Sequence, residues 1–227
     1  MKEKMEQTDI QPMSELMKQV FDRCDICGMR PKRPGKKWCQ RCIDKYNRRN
    51  SLSGQRRLLL NIPPVYIEAD VGDFDLNLEE WNMQDNLFFY GDTGTGKTRA
   101  MYALYKKSVL HGFDAELIEF LALCSEIRSS FDTKGGTTEN EIIKKLSALD
   151  VLFIDDLGLQ SNAVSDFSYQ VFYRIIDKRI IDCLPLVISS NKTKEQIGKL
   201  YDKRIASRLH LFRTIKFDGE DKREANK

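Results

Sequence analysis

The 227-residue sequence contains no apolar run that approaches the ~20 residues needed to span a membrane. Its first ten residues mix charges of both signs and lack the apolar core of a secretory signal peptide. It has only two histidines, His111 and His210, and neither has a neighbour in sequence suited to a metal site or a catalytic triad. We therefore expect a cytoplasmic protein with no membrane partner and no structural disulfides.

Charge is unevenly distributed along the chain, although the net charge is only +3. Residues 1–57 carry 15 Lys/Arg and 7 Asp/Glu, whereas residues 58–227 carry 22 and 27. A basic segment of this kind is typical of an arm that meets nucleic acid or an acidic partner, and an ordinary solvated face is the alternative. We divide the chain into an N-terminal module, residues 1–57, and a larger domain, residues 58–227.

The larger domain shows alternating strand and helix patterns. Strands are predicted over 86–90, 115–120, 151–155, 184–189 and 211–217, and helices over 99–111, 121–131, 139–149, 164–181 and, as two short pieces, 194–209. Strands separated by helices predict an α/β fold in which a parallel sheet is flanked by helices on both faces.

A complete phosphate-binding loop pattern, GxxxxGK[ST], lies between the first predicted strand and the first predicted helix. Its glycines allow a tight cradle of backbone N–H groups, and the start of the following helix favours an anion. Lys97 would reach the β- and γ-phosphates of ATP, and the Thr98 hydroxyl would ligate Mg²⁺. Because strand, loop and helix follow in order, a chance Gly/Thr turn is the weaker interpretation. The predicted ATP-binding residues are Gly91, Asp92, Thr93, Gly94, Thr95, Gly96, Lys97 and Thr98.

Two carboxylates follow the apolar strand at residues 151–154. Ligands of open α/β sheets bind at the carboxyl ends of the strands, where both side chains would emerge. Asp155 suits a Mg²⁺ ligand, and Asp156 suits the base that activates the attacking water. A strand that merely ends in acidic residues is common, but it is a weaker explanation downstream of a full phosphate loop.

Two further polar residues are candidates for catalysis. Asn191 follows the strand at 184–189 and could sense the γ-phosphate, or else cap the next helix. Arg204 and Arg208 lie four residues apart on one helix face, and one of them could act as an arginine finger in a neighbouring subunit. An ordinary surface ion-pair face is the alternative for these arginines.

Four segments in this order, GDTGTGKT, VLFIDDLG, VISSN and DKRIASRL, resemble the AAA+ ATPases of the DnaC/DnaI helicase-loader and IstB transposition-helper group. The resemblance covers roughly residues 58–223 and implies a P-loop AAA+ fold, a finger role for Arg208 and a sensor-1 role for Asn191. Asp156 stands where the wider AAA+ pattern has Glu, and the chain ends too soon after its last strand for a helical lid domain. Arg223 would then stand in for a second sensor. Both departures imply slow hydrolysis, stimulated by a partner or by DNA.

The N-terminal module contains two CxxC pairs, formed by Cys24, Cys27, Cys39 and Cys42. Four thiolates in this arrangement predict a structural Zn²⁺ site, and a redox CxxC is the alternative. Basic residues with Trp38 and Tyr46 among them surround the pairs, as in surfaces that hold single-stranded nucleic acid or a protein partner. The other two cysteines, Cys124 and Cys183, are expected to be buried packing residues.

The resulting hypothesis is an ATP-dependent DNA replication helicase loader that binds ATP and Mg²⁺, single-stranded DNA and a replicative hexameric helicase, and self-associates through its ATP sites. In the loader group, a similar zinc-bearing N-terminal domain contacts the helicase. One alternative is an IstB-like transposition helper that binds duplex DNA. Another is a DNA- or protein-binding adaptor that binds ATP with negligible turnover.

Overall fold

Five strands of five residues each form one parallel sheet in the computed structural model, which describes residues 62–131, 136–158, 164–219 and 221. The sheet order is β2-β3-β4-β1-β5, and every neighbouring pair is parallel. The strands are β1 (Leu87–Gly91), β2 (Ala115–Glu119), β3 (Val151–Asp155), β4 (Leu186–Ser190) and β5 (Arg213–Phe217). The parallel sheet expected from the sequence is therefore confirmed.

Six α-helices connect these strands within the described ranges. They are α1 (Lys97–Leu110), α2 (Phe120–Ser130), α3 (Glu139–Ala148), α4 (Asp166–Ile181), α5 (Lys194–Leu200) and α6 (Lys203–Leu209). Side-chain caps start four of them, because Thr138, Ser165, Thr193 and Asp202 each accept a hydrogen bond from a backbone N–H of the first turn. Helix α1 has no such cap and begins at the lysine of the phosphate loop, two residues before the predicted start.

Burial explains the apolar runs Val151–Ile154 of β3 and Leu186–Ile188 of β4, two of the three interior strands. Every residue of β3 and β4 is buried, since helices cover both faces of the sheet at these positions. The edge strand β5 instead has exposed residues at three of its five positions. In the register of the sheet, Leu152 of β3 pairs with Leu186 of β4, and Leu87 of β1 pairs with Val187.

Two apolar clusters form the core, one on each face of the sheet. Leu152 and Ile154 point to the cluster that includes residues of α2, α3, α4, α5 and α6. Phe153 points to the opposite cluster, where Trp81 and Tyr105 meet its ring edge-to-face at centroid distances of 6.2 and 6.1 Å. The strand thus contributes alternate side chains to both clusters and fixes the position of the carboxylates that follow it.

The segment before β1 packs against α1. The Tyr66 ring stacks on Tyr102 with a centroid distance of 4.6 Å. The Lys107 ammonium donates hydrogen bonds to the carbonyls of Glu79 and Trp81. Through these contacts, residues 62–81 pack against α1, the helix that follows the phosphate loop.

One expectation about the cysteines was wrong. Cys124 is buried as expected, whereas Cys183 is exposed. Cys183 comes just after the end of α4 with φ 52°, a left-handed conformation common immediately after helices. Helix termination, rather than packing, explains its position.

Two predictions concern residues outside the described ranges. They are the zinc site formed by the two CxxC pairs of the N-terminal module and the second-sensor role of Arg223. Within the described ranges, no helix is both long enough and apolar enough to cross a membrane.

Candidate nucleotide-binding site

The phosphate loop connects β1 to α1 through three glycines with positive φ: Gly91 at 152°, Gly94 at 81° and Gly96 at 100°. A Cβ atom on Gly91 would collide with the backbone carbonyl of Phe217 in β5, whereas one on Gly94 would meet only the movable carboxylate of Asp221. Gly91 is therefore required for its backbone conformation and for its packing against β5, and Gly94 for its backbone conformation.

Lys97 lies at the first position of α1 and is only 7% exposed. Its ammonium donates hydrogen bonds to the carbonyls of Gly91 and Asp92, at 2.8 and 2.7 Å. The hydroxyl of Thr95 donates to the same Asp92 carbonyl at 2.8 Å. The lysine is thus positioned inside the loop, on carbonyl acceptors that a nucleotide phosphate would have to replace.

Thr98 and Asp155, the two residues proposed to hold Mg²⁺, meet at the carboxyl edge of the sheet. The Thr98 hydroxyl donates to Oδ2 of Asp155 at 2.9 Å, although the two residues are 57 positions apart in sequence. Asp155 is 6% exposed and also accepts a hydrogen bond on Oδ1 from the Ser189 hydroxyl. One buried carboxylate is therefore held by two hydroxyls, one from the phosphate loop and one from β4.

Asp156 adopts a left-handed backbone conformation with φ 56°. Aspartate adopts this conformation more readily than most residues with a Cβ atom, because its short polar side chain can hydrogen-bond locally. Its N–H donates to the Ser189 hydroxyl at 3.0 Å, and the next N–H, of Leu157, donates to the Ser189 carbonyl at 2.9 Å. These bonds to β4 stabilise the turn that follows β3.

Asn191 is exposed and directly follows β4. The helix-capping interpretation of this residue was wrong, since Thr193 caps α5 and forms a capping box with Gln196. The Asn191 side chain accepts a contact from the Lys192 ammonium at 3.5 Å. Its proposed sensor role remains a prediction.

Arg208 of α6 lies against α4. Its Nε donates to Asp177 Oδ1 at 3.0 Å, its Nη2 donates to the Tyr173 hydroxyl at 3.0 Å, and its guanidinium carbon lies 4.6 Å from the centroid of the Tyr173 ring. Burial alone would lower the pKa of Arg208, but the hydrogen bond and charge of Asp177 outweigh it and raise that pKa. Within a single chain, Arg208 forms an ion pair with Asp177, in line with the alternative that these arginines belong to an ordinary surface ion-pair face. Its finger role in a neighbouring subunit remains a prediction.

The donor set at Thr98 and Asp155 fits Mg²⁺. Magnesium prefers hard oxygen ligands and is commonly held by one or two protein groups together with nucleotide phosphates and water. A hydroxyl and a carboxylate already 2.9 Å apart supply two such oxygens next to the glycine cradle. The negative charge of Asp155 also reaches Tyr102, where burial first and this charge second raise the pKa of the phenol. Among the described residues, no cluster of three or more His, Cys, Asp or Glu side chains forms a separate metal site.

Comparison with known proteins agrees with this geometry. Residues 76–223 match the family described as IstB-like ATP binding protein. This chain belongs to that family. It is 26% identical over 195 residues to the replicative helicase loader DnaC of Escherichia coli strain K12, a match that covers 86% of this chain and 70% of that relative.

Solved structures show the same fold. A crystal structure of the DnaC helicase loader superimposes with a TM-score of 0.58 at 18% identity, covering 69% of this chain and 100% of that one. The replication initiator DnaA bound to AMPPCP and single-stranded DNA has a TM-score of 0.58 at 17% identity, covering 70% of this chain and 51% of that one. The P-loop AAA+ fold expected from the four sequence segments is confirmed by these likenesses.

In this IstB-like domain, the sequence analysis missed one residue of the site, Ser189. The available signal was a polar residue directly after the apolar run Leu186–Ile188. The adjacency of β3 and β4 that gives Ser189 its contacts appears only in the folded sheet.

Proposed function

We propose that this protein is an ATP-dependent loader of a replicative hexameric helicase and that it grips single-stranded DNA. The observation that carries the nucleotide part is the contact between the Thr98 hydroxyl and the buried Asp155 carboxylate beside the phosphate loop. The resemblance to proteins named replicative helicase loaders supports the choice of partner.

In the proposed mechanism, Lys97 binds the β- and γ-phosphates, and Thr98 and Asp155 hold the Mg²⁺ that neutralises phosphate charge. Asp156 orients and deprotonates the attacking water, and Asn191 senses the γ-phosphate. Arg208 of a neighbouring subunit completes the site, so self-association and hydrolysis depend on each other. Hydrolysis is slow, because Asp156 is one methylene shorter than the usual glutamate, and it is stimulated by DNA or by the helicase.

A second group of side chains supports contact with single-stranded DNA. Phe131, which follows α2, is 62% exposed, and its ring lies 6.2 Å from that of Phe167 in an edge-to-face pair. The guanidinium carbon of Arg128 lies 4.9 Å from the Phe167 centroid. An exposed aromatic ring with a cation nearby, here Phe131 and Arg128, is an element on which unpaired bases stack, and a duplex keeps its bases out of reach.

The DNA-binding part can be tested with Phe131→Ala. The variant should bind a fluorescent single-stranded oligonucleotide about tenfold more weakly, within the range for loss of one stacking ring. Ile181→Ala is the matched control, since Ile181 is 67% exposed and is not part of this aromatic–arginine group. Equal losses in both variants, or none in either, would remove Phe131 from the DNA contact.

A second candidate function is a transposition helper that assembles on duplex DNA, as the resemblance to the IstB group implies; the match to the IstB-like ATP binding protein family is compatible with it. Binding to single strands and to duplex of equal length distinguishes the two. A loader should prefer the single strand and should place a purified hexameric helicase on single-stranded DNA in an ATP-dependent manner. Preference for duplex, with ATP-dependent filaments and no helicase loading, would support the transposition helper. Nucleotide binding without measurable turnover, with or without DNA and helicase, would support the adaptor.

We also propose that Cys24, Cys27, Cys39 and Cys42 bind one structural Zn²⁺ and that the basic module contacts the helicase. Elemental analysis of full-length protein purified without added metal should find one zinc per chain. All four thiols reacting freely under native conditions, with zinc near zero, would contradict the site.

A further inference from the structure

We infer that Ser189 is a positioning residue of the nucleotide site: it fixes the carboxylate proposed to hold Mg²⁺ and, through the same hydroxyl, the turn that carries the proposed water-activating residue. This role rests on the proposed ATP-dependent function. Ser189 itself is not expected to touch nucleotide or metal.

The Ser189 hydroxyl of β4 lies between two groups at the carboxyl end of β3. It donates to Oδ1 of Asp155 and accepts the N–H of Asp156 at 3.0 Å. Ser189 is fully buried, so water does not offer a ready substitute for either bond. A hydroxyl can donate one hydrogen bond and accept others, which is the combination these two groups require.

The contact with Asp155 leaves its carboxylate little freedom to rotate. Oδ1 faces Ser189 on β4, and Oδ2 faces Thr98 on α1 at 2.9 Å. Without Ser189, the carboxylate would keep only the bond to Thr98. Groups that hydrogen-bond a metal-ligating carboxylate orient it, and their removal typically weakens metal affinity by 10–100-fold.

The contact with Asp156 acts on the backbone. Asp156 has φ 56°, a conformation that residues with a Cβ atom adopt mainly where surrounding bonds hold it. The Ser189 hydroxyl and carbonyl bind two successive N–H groups there, those of Asp156 and Leu157. One residue of β4 therefore sets the direction in which the chain leaves β3.

The neighbouring serine provides a matched control. Ser190 is also buried on β4, and its hydroxyl donates to the Leu157 carbonyl at 2.6 Å rather than to either carboxylate residue. Ser190→Ala removes a buried hydroxyl from the same strand end but leaves the contacts of Asp155 unchanged. Loss of stability alone would affect the two serine variants alike, whereas loss of carboxylate positioning would affect only Ser189→Ala.

The experiment measures how much Mg²⁺ strengthens binding of a fluorescent, non-hydrolysable ATP analogue to the full-length protein. The dissociation constant is measured with Mg²⁺ and with EDTA for the wild type and both serine variants, after thermal melts have verified folding. Ser189→Ala should lose about tenfold of the Mg²⁺-dependent strengthening, with binding in EDTA unchanged. Ser190→Ala should keep the wild-type ratio.

An unchanged ratio in Ser189→Ala, or an equal loss in Ser190→Ala, would overturn the positioning role while leaving ATP binding by the wild type intact. Failure of the wild type to bind the analogue would instead overturn the proposed function, and the role of Ser189 with it. If Ser189→Ala does not fold, the same measurement is made on Ser189→Cys, whose thiol is a weak donor. A reduced ratio in Ser189→Cys supports the role, and a full ratio refutes it.

Discussion

The carboxylate side of the candidate site and its cationic side are organised differently. Asp155 is buried and held by two hydroxyls that come from two other elements of the fold. The two proposed catalytic cations bind groups that are not part of the reaction: Lys97 binds carbonyls of its own loop, and Arg208 binds Asp177 on α4.

The chemistry of the groups explains this difference. A buried carboxylate needs donors at all times, and neutral hydroxyls of the fold can supply them without a ligand. A cation whose ligand is an anionic nucleotide must use other acceptors until that ligand is bound. We therefore expect substitutions of the cations to affect ligand binding and assembly more than folding.

Lys97→Ala should have the largest effect. Because the ammonium is the proposed ligand of the β- and γ-phosphates, the variant should lose ATP binding and turnover while its thermal unfolding stays close to that of the wild type. Binding of a fluorescent ATP analogue and a thermal melt measure the two properties. Equal ATP affinity in variant and wild type would contradict the assignment of the nucleotide site.

Arg208→Ala should keep ATP binding but lose turnover by about 10³-fold or more, the range for an arginine finger. The decisive measurement mixes this variant with Asp156→Asn, each nearly inactive alone. A mixed assembly contains some interfaces with both groups intact, so hydrolysis should partly recover. No recovery in mixtures shown to co-assemble would leave Arg208 with only its intramolecular ion pair.

Asp156→Asn should bind ATP normally and hydrolyse it at least about 100-fold more slowly, as expected for loss of a general base. Asp155→Asn is the informative comparison, because it should weaken Mg²⁺-dependent binding instead. Steady-state hydrolysis and analogue binding separate the two outcomes. Unchanged turnover in Asp156→Asn would assign water activation to another residue.

Asp177→Asn should have the smallest effect. It weakens the intramolecular hold on Arg208, but the two side chains are 22% and 33% exposed, and such pairs contribute about 0–1 kcal/mol. If Arg208 must leave Asp177 to act in a neighbour, ATP-dependent self-association should strengthen about twofold to fivefold, the equivalent of that energy. Sedimentation at several concentrations tests this, and weaker association would make Asp177 part of the assembled interface.

The sequence determined the order of strands and helices, the phosphate loop and the strand-end carboxylates of this protein. These features rest on local signals: apolar runs for the buried strands β3 and β4, glycines where φ is positive, and a lysine and threonine at the start of α1. Even the contact between Thr98 and Asp155 could be anticipated, because parallel strands place their carboxyl ends at one edge.

Only the tertiary structure decided which side chains hold those carboxylates and cations in place. Ser189 reaches Asp155 because β4 lies beside β3, and Arg208 reaches Asp177 because α6 packs near α4. The local sequence did not assign either partner its contact, since a serine in a strand and an aspartate on a helix occur in many contexts. Their roles come from pairings between residues more than 30 positions apart in the chain, and the packing of the whole sheet and its helices sets these pairings.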